Sequence, residues 1–310
     1  MITVFKNTDD GLVTLDQFVS GCWISAIDPT PDEIIRLHQE LAIPQDFLTY
    51  PLDMDELSRT EKEDNATLII LRIPYLQSEN VDIPYITVPL GIILTDQYVI
   101  TVCKMQNRVL QDMNNGRAKT LSTAKRYRFV LRLLYSTASR YLAYLQEINR
   151  TVDSLEDRLH RSLRNREVLE LLRYEKSLVY FETALKSNEL MMERLQRTQM
   201  FQTYPDDEDL LEDVLTENQQ AIQMVGIANN ILSQMMDAFA SIISNNLNQV
   251  MKLLASITIV MAIPTMVASF YGMNVNLPLV HGSFDFAIVL GVSLLVSVAT
   301  ATFFWRRGWF

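Results

Sequence analysis

The sequence predicts an α+β cytosolic domain with a long helical arm and stalk, followed by a two-helix transmembrane hairpin. Three observations carry that prediction. Residues 253–270 and 286–305 contain no Asp, Glu, Lys or Arg, and each is as long as the ~20 apolar residues that cross a hydrocarbon core. Before them, helical periodicity runs from about residue 121 and is broken at Tyr204-Pro205. Ahead of that, β-branched runs alternate with turn signals, the pattern of a mixed sheet. The alternative for the two apolar stretches is a buried helical pair in a soluble core; their length and lack of charge argue against it.

The first region, residues 1–120, reads as an α/β domain with a small sheet. Residues 66–73, 85–94 and 97–102 are rich in β-branched side chains, and Thr95-Asp96 separates the last two as a hairpin turn. Thr30-Pro31-Asp32-Glu33 is a capping box with Pro at the first helical position, and opens a helix through about Leu41. Pro44 and Pro51 punctuate the segment after that helix, and no Gly-rich phosphate loop is visible. Cys22 and Cys103 are the only cysteines and have no metal-finger spacing. They read as reduced, packed thiols.

Residues 121–204 read as an antiparallel helical arm. Tyr141, Leu145, Ile148, Val152, Leu155 and Leu159 recur three and four apart, the stripe of a packed helix. A second helix from about Arg166 to Gln199 has Leu169, Leu172, Leu178, Leu185 and Leu195 among its apolar positions, and Tyr204-Pro205 ends the pattern. Residues 205–252 form a stalk helix that starts in the acidic cluster Asp206, Asp207, Glu208, Asp209, Glu212 and Asp213. Nothing interrupts it before the first span (253–272), an outer loop (273–285), the second span (286–305) and a basic tail (306–310).

The most informative feature of the stalk and first span is one face. Asp237, Ser241, Ser244, Asn248, Met251, Ala255, Thr258, Ala262, Thr265 and Ser269 lie alternately four and three apart, the period that keeps a stripe facing a common axis. A coiled-coil seam holds Leu and Ile; this one is small and hydroxyl-bearing, with one carboxylate, one amide and one thioether. Leu247, Val250, Leu254, Ile257 and Val260 supply apolar contacts beside it. Small residues also allow close helix packing in lipid, but a polar stripe continuous through both portions suits a water-filled axis. One hairpin encloses nothing, so a homo-oligomer is implied. Met251 and Leu254 are expected to form a dewetting constriction, Asp237 an inner carboxylate ring and Asn274 an outer amide ring. Pro264 should kink or loosen the helix.

Charge fixes orientation. Lys252 opens the first span, Arg306 and Arg307 close the second, and the segment between has no Lys or Arg. These three form a basic inner ring, and the positive-inside rule places both termini in the cytoplasm. The opening MITVFKNTDDGLV has no basic stretch leading into an apolar run. The net charge of -10 argues against nucleic acid and is compatible with cations as partners. His38, His160 and His281 lie far apart and no nucleophile has a recognisable setting, so an enzyme is not expected.

Tyr271-Gly272-Met273-Asn274 ends the first span, and with this topology the chain resembles the CorA family of magnesium transporters. The likeness extends through 248–252 and 263–270. It implies a funnel-shaped homopentamer in the cell membrane, with magnesium as transported and regulatory ion and no other cofactor. Tyr271, Gly272, Met273 and Asn274 would be the selectivity filter, where neutral oxygens contact an ion that sheds water reluctantly. Asn248, Met251, Thr265 and Asp237 match the family's pore positions. The resemblance makes Asp213 the stalk-side ligand of a regulatory magnesium site, supported by Asp209 or Glu212; compensation of the helix dipole is the other reading of that cluster. Residues 276–283 lack the acidic residue common in the family's outer loop, leaving Asp285 alone there. Cobalt, nickel or zinc therefore stay open as cargo, with His281 either a ligand or a solvated loop residue. Zinc transport by the same architecture, or a non-conducting membrane-anchored oligomeric receptor or structural protein, are the alternatives.

Overall fold

The computed structural model describes residues 1–8, 11–78, 81–114, 122–161, 165–198, 205–273 and 285–310. Seven strands form one sheet: β1 (Ile2–Thr8), β2 (Gly11–Leu15), β3 (Trp23–Ile27), β4 (Arg59–Glu63), β5 (Ala66–Leu76), β6 (Tyr85–Leu94) and β7 (Val99–Cys103). Their order is β2-β1-β3-β7-β6-β5-β4, antiparallel except for the parallel pair β3–β7. The helices are α1 (Pro31–Leu41), α2 (Gln45–Thr49), α3 (Arg108–Asn114), α4 (Arg126–Arg161), α5 (Asn165–Arg197), α6 (Pro205–Tyr271) and α7 (Asp285–Arg306).

The sheet is larger than expected. β1 to β4 escaped the sequence pattern because β2 and β4 are edges, β4 (RTEKE) carrying four charges. Charged edge strands resist further pairing, but their polarity hides their period. The 95–98 hairpin is present, with the Thr95 N–H donating to the Tyr98 carbonyl at 3.1 Å; β7 starts at Val99, two residues later than expected.

Side chains alternate across the sheet. Leu68, Ile70, Ile93, Ile100 and Val102 pack with Ile34 and Leu37 of α1 and Phe47 of α2. Ile69, Leu71, Ile73, Val88 and Leu90 pack on the other face with residues of α3, α4, α5 and the start of α6. Trp23 sits in this second layer, its ring against Phe5 and Phe129 and its Nε1 donating to Thr101 Oγ1 at 2.9 Å. Gly91 in β6 permits a close approach: an added Cβ would lie 2.2 Å from Pro51 Cγ.

Helices α4 and α5 of the expected arm help cover the sheet. Tyr141 of α4 and Asn188 of α5 both donate to the Arg72 carbonyl of β5, at 3.0 and 2.8 Å. The α4 stripe is buried as expected. On α5, however, Leu169 is exposed and Leu172 only half-buried. Leu171, Phe181, Met191 and Met192 take the core side with Leu178, Leu185 and Leu195, because the sheet and α4 together select a face that leucine spacing alone does not define.

α1 begins with both bonds of its capping box, and the Met1 ammonium adds a 3.0 Å ion pair to Glu33. Burial acts to raise the Glu33 carboxyl, yet donors from Thr30, the ammonium and Ile2 hold it below the usual carboxylate range. Ala42 ends α1 in the left-handed region at φ 52°. Cys22 and Cys103 are free and buried; burial pushes the Cys103 thiol up to about 11, which leaves it unreactive.

The chain divides into two compact units, Met1–Gln234 and Met235–Phe310. The division falls within α6, which is helical throughout its 67 residues.

Candidate functional site

Among the described residues, two helices are long and apolar enough to cross a membrane, α6 and α7. Within the second unit, α6 carries one covered stripe: Ser256 is fully buried, and Val260, Ile263, Val267 and Tyr271 are half-buried. The matching stripe on α7 is Val289, Ser293, Ser297, Thr300, Ala301 and Phe304. Small residues at 256, 293 and 297 suit the close backbone approach by which helices pack in lipid.

The polar stripe lies on roughly the opposite side of α6, as 3.6 residues per turn requires. Asp237, Ser241, Ser244, Asn248, Met251, Leu254, Ala255, Thr258, Ala262, Thr265 and Ser269 are all exposed in the single chain. Thr258, Ala262, Thr265 and Ser269, with Ile257, Met261 and Met266, line one open groove. The Thr258 hydroxyl donates to the Leu254 carbonyl at 2.8 Å. Its proton is thus used inside the helix and its oxygen is left as an acceptor, the polarity that suits a water shell around a cation. From Ala240 to Ala255 every residue is exposed, including Ile242, Ile243, Leu247 and Val250.

At the C-terminal end of α6, the Gly272 N–H donates to the Ala268 carbonyl at 2.9 Å and the Met273 N–H to the Phe270 carbonyl at 3.3 Å. A Cβ at Gly272 would stand 3.3 Å from the Ala268 oxygen, so a side chain there crowds the helix's last carbonyls. Tyr271 is half-buried and Met273 exposed. Asn274, residues 276–283 and His281 lie outside the described residues.

The acidic start of α6 divides by role. Asp207 is buried and accepts from Arg128 Nε of α4, while Asp206 meets the same guanidinium at 3.3 Å. The hydrogen bond to Asp207 outweighs desolvation and holds Arg128 above its ordinary value. This lock was not foreseen, because Arg128 is 79 positions away from Asp207 in sequence. Asp209, Glu212 and Asp213 are exposed on the side turned from the core. Among the described residues no three His, Cys, Asp or Glu side chains converge on a metal position. Lys252, Arg306 and Arg307 are exposed.

Residues 20–307 match the family described as CorA-like Mg2+ transporter protein. The chain belongs to the CorA family. It is 28% identical over its whole length to the full-length cobalt/magnesium transport protein CorA of Methanocaldococcus jannaschii. It is 23% identical to the magnesium transport protein CorA of Helicobacter pylori strain 26695, over 93% of this chain and 90% of that one. The complete structure of the M. jannaschii CorA magnesium transporter superposes with a TM-score of 0.87 at 23% identity, covering 100% of this chain and 99% of that chain. The CorA fold thus accounts for the sheet layer, the long helices and the membrane pair together.

Proposed function

We propose that this chain is one subunit of a membrane transporter that moves hydrated magnesium down its electrochemical gradient, along an axis lined by the polar face of α6. The observation that carries this reading is geometric. The small, hydroxyl-bearing stripe is exposed, and the covered stripe lies on the other side of the same helix. Several copies, five by resemblance, bring those faces together. The relatives named above are named for magnesium, one of them also for cobalt, which favours magnesium over zinc as cargo.

Tyr271, Gly272, Met273 and Asn274 form the outer filter in this reading. Asn248 and Thr265 contribute oxygens, Met251 and Leu254 a dewetting constriction, and Asp237 an inner carboxylate ring. Both termini face the cytoplasm, with Lys252, Arg306 and Arg307 on that side. Magnesium bound at Asp213, with Asp209 or Glu212, holds neighbouring soluble units together and closes the path. Its loss leaves like charges repelling, which favours opening. The exposure of these carboxylates and the absence of a closed cage among the described residues fit a site completed by another copy.

Purified protein in liposomes should admit magnesium, and Asn274→Ala should abolish selective uptake while the oligomer stays assembled. Uptake with unchanged cation preference would remove the filter role. No uptake of any divalent cation by the unaltered protein would favour the anchor reading. A second variant, Asp213→Lys, should weaken magnesium's protection of the soluble unit against proteolysis by several-fold.

A further inference from the structure

The turn that ends α7 does more than stop a helix. The Arg307 N–H donates to the Phe303 carbonyl at 3.1 Å, Gly308 to Trp305 at 3.0 Å, and Trp309 to Phe304 at 3.0 Å. Gly308 takes φ +68°, the left-handed position of a Schellman stop. The chain is thereby turned back, and the Trp309 ring stacks on Phe304 with centroids 5.1 Å apart and planes at 10°. Phe304 is one of the few buried residues of its unit. Backbone and rings together fix the turn.

What the turn presents outward is specific. Trp305 is 72% exposed and Phe303 56%. Arg306 and Arg307 are exposed, and the Arg307 guanidinium stands over the Phe303 ring at 5.6 Å. Neither arginine has a carboxylate partner among the described residues. Two guanidinium forks and exposed indole therefore share one rigid turn, next to a helix whose preceding residues 286–305 are uncharged.

We propose that this turn is a binding site for the headgroup phosphate of an anionic phospholipid in the cytoplasmic leaflet. Arg306 and Arg307 take the phosphate, and Trp305 and Trp309 lie in the interfacial layer beneath it. The proposal rests on the reading that α7 spans the membrane with its basic end inside. Guanidinium matches phosphate oxygens in a bidentate fashion, and Trp favours the depth where one edge is apolar and the other wet. A lipid satisfies both groups at once. A soluble anion would satisfy the arginines and leave Trp305 in water, and an acidic protein segment would do the same.

The test uses full-length protein in phosphatidylcholine liposomes containing a minor fraction of brominated phosphatidylglycerol or, in parallel, brominated phosphatidylcholine. Bromine quenches nearby indole; Trp23, buried in the soluble unit, supplies the unquenched background. Brominated phosphatidylglycerol should quench at lower mole fraction, and the preference should fall about five-fold for each of R306Q and R307Q. R306K with R307K should keep only part of it, since an ammonium preserves the charge but not the fork. Equal quenching by the two lipids in the unaltered protein, or a preference that survives R306Q with R307Q, would overturn the lipid site. Absence of quenching by either lipid would overturn it together with the spanning assignment of α7, so the two failures are distinguishable.

Discussion

Met1–Gln234 and Met235–Phe310 use apolar side chains in opposite ways. The first unit hides them: both faces of its sheet are covered, and Trp23, Phe47, Phe129, Tyr141 and Phe181 are all but inaccessible. The second displays them, with Leu247, Met251, Leu254, Leu294 and Leu295 each more than half exposed. A water-soluble chain that left so contiguous an apolar surface bare would aggregate. The contrast shows that the first unit completes its own core, whereas the second leaves its apolar surface uncovered within the single chain, which the proposed function assigns to lipid and to further copies.

That contrast can be tested from its strongest point downward. Trp23→Ala removes a ring packed between Phe5 and Phe129 and should cost the soluble unit about 3–5 kcal/mol in urea melts. The paired control is Leu247→Ser, at an exposed position of the second unit. It should leave that melt within about 0.5 kcal/mol of the parent while lowering the oligomer fraction in detergent. A large loss of soluble-unit stability from Leu247→Ser would break the division. Gly91→Ala drives a methyl into the Pro51 ring, and overpacking of this kind should cost about 1–3 kcal/mol by the same measurement. The smallest effect has the opposite sign. Ala42→Gly relieves a left-handed residue at the end of α1 and should raise stability by about 1 kcal/mol.

The same division explains what could be read in advance. Local signals were legible: the Thr30–Glu33 capping box, the 95–98 turn, the α4 stripe, and the two uncharged spans, because each is written within a few neighbouring residues. Choices made by a distant partner were not. β1 and β3 pair across a chain reversal, and β3 lies beside β7, 76 residues on by Trp23↔Val99; no short pattern encodes that. Leu169 and Leu171 are equally apolar, and only the sheet beneath α5 decides that Leu171 is the buried one. Asp207 is one of six carboxylates in the acidic cluster by sequence, and only the placement of Arg128 against it sets it apart. In the candidate site, the period of the polar stripe predicted one shared face and the structure shows all of it uncovered. The covered stripe through Ser256 and Ser293 went unnoticed, since Ala255 and Ser256 are both small and composition gives no reason to tell them apart.

Ser256 then has an influence beyond its size. It occupies the side of α6 away from the polar stripe, with no accessible surface of its own and its hydroxyl folded onto the Lys252 carbonyl at 2.7 Å. Bulk added there has nowhere to go except into whatever lies behind the helix, so the helix itself must yield forward. In the proposed assembly, a few cubic ångströms at this position would set how far the polar face stands from the shared axis, without altering a single atom that an ion would meet.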